Sequence, residues 1–138
     1  MNSEKLFRGK RVDNDEWVYG YHATQSNHAC FERELKYTSF ILKDEFMDWG
    51  LGGLAEYEVI PETVGQFTGL LDKNGNKIFE GDIVKCRSLE YGYTNKAVYY
   101  NEDKARFVLS SLGTDYDFGE YMTLEVIGNV YDNKELLK

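Results

Sequence analysis

The chain has 138 residues, a formal net charge of −8 and a pI near 4.8, with 15% aromatic residues, thirteen Gly and one Pro. That length buries a core without staples, and the acidic field disfavours duplex nucleic acid and anionic membranes, whose binders carry basic faces and gain affinity by releasing counterions. Two Cys without paired spacing, no apolar run of signal-peptide type after Met1 and no stretch near the roughly 20 apolar residues of a membrane span lead us to expect a soluble cytoplasmic protein with free thiols.

Eleven Tyr, eight Phe and repeated Gly turn signals point to a mainly β protein. Leu6 to Lys10 and Trp17 to Ala23 flank Val12-Asp13-Asn14-Asp15-Glu16, a polar loop of hairpin length. Alternation puts Trp17, Tyr19 and Tyr21 on one face of the second arm and Val18, Gly20 and His22 on the other. The bulk of three rings makes the first face the expected core wall; exposed, the same rings form a platform for a base, sugar or peptide. Thr24 to Lys36 reads as irregular and Tyr37 to Leu42 as a strand. Lys43 to Glu56, with Asp44, Glu45, Asp48 and Glu56 around Gly50-Leu51-Gly52-Gly53, reads as an ordered acidic loop or one short helical turn. Tyr57 to Ile60 is a strand ended by Pro61, which has no N–H to give.

Asn74-Gly75 between apolar pairs predicts a two-residue type I′ hairpin, because both central positions then need positive φ. The register that follows sets Lys73 opposite Asn76, Asp72 opposite Lys77, Leu71 opposite Ile78 and Leu70 opposite Phe79. Glu80-Gly81-Asp82 is then a turn into the strand Ile83 to Arg87, a step that resembles the opening of SH3-like barrels. Ser88 to Asn95 reads as a Tyr/Gly loop, and Ala97 to Tyr100 and Ala105 to Leu109 as a hairpin around Asn101 to Lys104. Leu112 to Tyr121 reads as a loop, and Thr123 to Ile127 as a strand. Gly128 marks a bulge or a close backbone approach, and Asp132 or Asn133 caps a last turn through Leu137.

Chemistry is harder to find. His22, His28 and Cys30 lack the paired spacing of a structural zinc site, and nothing beyond nearness in sequence activates Cys30 as a nucleophile. Pairs such as Asp44/Glu45 and Asp115/Asp117 are what 24 acidic residues place on solvated loops. No phosphate-binding glycine motif is present. The expectation is a non-enzymatic chain without cofactor or metal.

Phe7-Arg8-Gly9-Lys10, Trp17-Val18-Tyr19-Gly20, the run Val59 to Leu70, Asp72-Lys73-Asn74-Gly75, Ile78 to Val84 and Glu125 to Asn133 together resemble the YopX family of small bacteriophage and prophage proteins, in order and over nearly the whole chain. The resemblance implies a mainly β fold with a barrel-like C-terminal part, and it implies no activity. The expected organisation is a single domain over 1–138. It has an N-terminal β-hairpin region at 1–66, a small SH3-like β-barrel region at 67–138, and few or short helices. Two functional readings remain. One is a phage accessory protein that binds a host or phage protein through Tyr91, Tyr93, Tyr116 and Tyr121, since tyrosines are enriched at interfaces. The other is a single-stranded nucleic-acid binder, with Lys77, Lys85 and Arg87 on phosphates and Tyr93 or Tyr99 on bases. Self-association through sheet edges is compatible with both.

Overall fold

The computed structural model describes residues 5–27, 36–46 and 52–137, and divides into two compact units, one ending at Gln66 and the other beginning at Phe67. The first unit holds β1 (Phe7–Lys10), β2 (Trp17–Asn27), β3 (Lys36–Phe46), β4 (Gly52–Val59) and the start of β5 (Gly65–Leu71). They lie antiparallel in the order β4-β3-β2-β1-β5. The meander coils until Arg11 bridges Val59, with the Val12 N–H donating to Glu58 O at 3.1 Å and Ile60 N–H to Lys10 O at 2.8 Å. Inside the coil are Val18, Ile41 and Val59, with Phe7, Tyr57 and Val64 packed against them.

This curvature corrects the expected core wall. The face of β2 turned inward is Val18-Gly20-His22, while Tyr19 and Tyr21 are exposed and Arg8 lies 4.7 Å over the Trp17 ring. The inward face is tight at its glycines: a Cβ on Gly20 would stand 2.1 Å from Leu42 O, and one on Gly9 2.9 Å from Val59. The expected acidic loop is corrected too. β3 and β4 pair from Ser39↔Val59 through Asp44↔Leu54 to Phe46↔Gly52, and Asp44, Glu56 and Glu58 sit on them facing water. Cross-strand pairing outweighs the poor β propensity of these acids because only one face of the ladder is buried. Asp48 and Gly50-Leu51 of the predicted loop lie outside the described residues.

The second unit contains the end of β5, β6 (Lys77–Phe79), β7 (Asp82–Ser88), β8 (Gly92–Asn101), β9 (Arg106–Ser111), β10 (Thr114–Tyr116) and β11 (Thr123–Asn129). Its main sheet runs β10-β9-β8-β7-β11, all antiparallel. Helical structure among the described residues is confined to single 3-10 turns at Pro61–Thr63, Phe118–Glu120 and Lys134–Leu137. The protein is mainly β, as expected, but its two antiparallel sheets are not closed into a barrel. At one edge stands the three-residue β10, and at the other β11 is met by a turn, with Lys73 N–H donating to Leu124 O at 2.9 Å. The barrel-like expectation for this half therefore becomes an open sheet. Ile78, Val84, Cys86, Val98 and Leu109 form its core, with Tyr116, Phe118, Tyr121, Leu124 and Val126 against them.

The Asn74-Gly75 hairpin exists in a different register. Leu71, not Asp72, pairs with Lys77, and Gly75 alone takes positive φ, at 84°. The cause is Asp72, whose Oδ1 accepts the Asn74 and Asn76 N–H groups at 2.9 Å each and so winds a wider turn. Gly75 N–H donates to Asp72 O at 3.0 Å and Asp72 N–H to Asn76 O at 2.8 Å, the pattern of a three-residue loop with its glycine in the left-handed region. A second irregularity follows between Phe67 and Leu71, where Gly69 has φ 88° and Leu70 and Leu71 turn outward. The turn with positive φ at both positions is Leu112-Gly113, at 50° and 81°, inside the stretch read as a loop. Near the C-terminus, the pairing of β11 with β7 slips by one residue between Val126 and Gly128. A Cβ on Gly128 would lie 2.5 Å from Asn133 Oδ1, so bulge and close approach both occur.

Candidate functional site

From Val84 onward β7 alternates: Val84 and Cys86 point into the core while Lys85 and Arg87 point to solvent. β8 begins at Gly92, so Tyr93, read as a loop residue, lies in the ladder opposite Arg87. Its ring receives both cations, with Lys85 Nζ 4.9 Å and Arg87 Cζ 5.7 Å from the ring centroid. Between the strands the turn is held by Tyr91 N–H donating to Ser88 Oγ at 2.9 Å, and Met122 N–H joins the same end through Arg87 O at 2.8 Å. The result is an exposed cluster: Leu89 is 89%, Tyr91 77%, Tyr93 59% and Met122 56% exposed. Among the described residues neither Lys85 nor Arg87 makes an ion pair: Glu125, opposite Lys85 in the ladder, lies 3.2 Å from Lys73, and Arg87 faces Thr123.

The other predicted residues go elsewhere. Tyr116 and Tyr121 pack on the core with ring centroids 6.4 Å apart, and buried Lys96 lies 4.6 Å and 5.4 Å over the two rings while donating to Thr94 Oγ1 at 2.8 Å. Burial pushes the Tyr121 hydroxyl up to about 12. These two tyrosines are thus spent on packing and do not join Tyr91 and Tyr93. Tyr99 donates its hydroxyl to Asp115, whose other oxygen accepts Asn101 Nδ2 at 2.8 Å. The hydrogen bond raises the Tyr99 pKa and lowers that of Asp115. Lys77 is on β6, 5.5 Å over the Phe67 ring. Of the zinc candidates only His22 is described, its ring 5.5 Å from that of Phe7 at a 45° tilt and its pKa lowered by burial; His28 and Cys30 lie outside the described residues. No three His, Cys, Asp or Glu side chains among the described residues are grouped to hold a metal ion. In the first unit an open groove of ≈ 410 Å³ is lined by Lys5, Leu6, Tyr19, Tyr21, Leu42 and Asp44 among others. No described helix is long and apolar enough to cross a membrane.

Residues 6–138 match the family described as YopX protein. The chain belongs to the YopX family. The fold of this YopX-family chain is similar to the crystal structure of protein EF1440 from Enterococcus faecalis, with a TM-score of 0.59 at 20% identity, covering 99% of this chain and 100% of that one. No curated protein matches the chain.

Two members of the cluster in this YopX-family chain, Leu89 and Met122, escaped sequence reasoning. A signal for Leu89 was present: an apolar residue between Ser88 and Glu90 in a tight strand connection has no core to enter. Met122 carried none, since only the pairing of β11 with β7 brings it beside Arg87.

Proposed function

We propose that this YopX-family chain is a non-enzymatic phage or prophage accessory protein that works in the cytoplasm of a bacterial host by binding another protein. The phage origin follows the family resemblance. The observation that carries the binding reading is the cluster of Leu89, Tyr91, Tyr93 and Met122 at one end of the second unit's sheet, all more than half exposed. Tyrosine and methionine gathered beside basic side chains match the composition of interface cores, and large rings give contact area at low entropic cost. Affinity capture from phage-infected cells tests it with wild type and the Tyr91→Ala/Tyr93→Ala double variant. The expected result is a specific partner retained by the wild type and lost with the variant. Indistinguishable capture by the two proteins removes the reading.

A single-stranded nucleic-acid binder is the second reading, favoured by Lys85 and Arg87 of β7, both over the Tyr93 ring. The net charge of −8 weighs against it. Titration of a labelled oligothymidylate at low and moderate salt decides, because phosphate-driven affinity is strongest at low salt. No binding there eliminates it.

A further inference from the structure

Resting on the protein-binding reading, we propose that the β7–β8 end of the second unit recognises an extended acidic segment of its partner, with carboxylates at alternating positions and an apolar side chain beside them. Lys85 and Arg87 are two residues apart on one face of one strand, so their attachment points repeat at about 6.6–6.8 Å. An extended peptide presents alternate side chains at the same repeat, and two carboxylates in a Glu-x-Glu or Asp-x-Asp step can therefore meet both cations at once. Tyr93 holds the two cations in place, since both lie over its ring. That preorganisation reduces the side-chain entropy lost on pairing.

Charge complementarity selects an acidic partner: in a chain of net charge −8, these two exposed cations on adjacent outward positions have no carboxylate of their own among the described residues. A protein segment fits better than a nucleic acid for two reasons. The Tyr93 ring, which a base would need to stack upon, already carries two side chains. Exposed Leu89 and Met122, at the Arg87 end of the pair, offer apolar contact that a sugar-phosphate backbone does not use and an aliphatic or aromatic side chain does.

The test is selection from a random-peptide display library on the full chain, with the Lys85→Gln/Arg87→Gln variant run in parallel. Asp or Glu enriched at alternate positions next to an apolar residue is expected on the wild type and absent on the variant. A selected peptide should bind the variant about fivefold to tenfold more weakly, as two exposed ion pairs contribute, and should weaken in raised salt. Peptides selected without acidic enrichment, or equal binding by the variant, overturn the proposal, and so does an oligothymidylate that displaces the selected peptide and binds tighter than it does. The two readings fail separately. A cellular partner lost with Tyr91→Ala/Tyr93→Ala but kept by Lys85→Gln/Arg87→Gln sinks the acidic segment and leaves the binding module standing.

Discussion

Burial alone would raise the pKa of the Asp72 carboxyl, yet hydrogen bonds from the Val126, Asn76 and Asn74 N–H groups and from Asn76 Nδ2 outweigh it and hold the group below the usual carboxylate range. Oδ2 reaches Val126 N–H at 3.0 Å, so the same side chain winds the β5–β6 turn and fastens it to β11. Asp72→Ala leaves several N–H donors without their charged acceptor and should cost about 2–3 kcal/mol. The sign of the pH dependence follows from the lowered pKa. Stability from Asp72 is fully present above the unfolded value of about 3.9 and is lost as pH falls through the folded one. Urea midpoints of wild type and Asp72→Ala should therefore differ at neutral pH and converge in acid; a gap that persists unchanged at low pH contradicts this account.

At the level of elements, two glycine turns exchange the roles that their sequences suggest. Asn74-Gly75 has the composition of a type I′ turn and does not form one, because the Asp72 side chain captures the N–H groups of Asn74 and Asn76. Leu112-Gly113 has no such composition and holds φ of 50° and 81°. Substitution separates these geometries. Gly75→Ala, at φ 84°, should destabilise by about 1–2 kcal/mol, whereas Asn74→Ala, at negative φ, should change stability by less than about 0.5 kcal/mol; a true type I′ turn would make both costly. Leu112 is 99% exposed and buries nothing in exchange for its strained backbone. Leu112→Gly should therefore stabilise by about 0.5–1 kcal/mol in thermal or urea unfolding, and a destabilised variant would contradict the reading of Leu112 as strained and without packing.

The mainly β class, the N-terminal hairpin, β7 and the β11 bulge were legible because short-range signals encode them: alternation, Gly and Asn placement, and a breaking proline. Curvature was not. Whether Tyr19 or Val18 faces inward depends on how tightly β1 to β4 coil, which Gly9 and Gly20 permit only through contacts with Val59 and Leu42 far along the chain. The candidate site was half legible for the same reason. Lys85, Arg87, Tyr91 and Tyr93 were singled out under two separate readings, and only the ladder Arg87↔Tyr93 shows them to be one surface, while Tyr116 and Tyr121 pack half-buried against the core. That core has a built-in reporter. Cys86 is fully buried, and desolvation, partly offset by the Lys96 charge, pushes its thiol up to about 11. Because the thiolate is the reacting species, a Cys30→Ser chain should resist Ellman's reagent at pH 7 to 9 and react only as the second unit opens. Val84→Ala, which leaves a cavity against Cys86, should destabilise by about 1–3 kcal/mol and so speed labelling roughly 5- to 150-fold, since the open population rises exponentially with the loss of stability. Fast labelling of the native Cys30→Ser protein, insensitive to Val84→Ala, would place Cys86 at the surface and undo the core described for this unit.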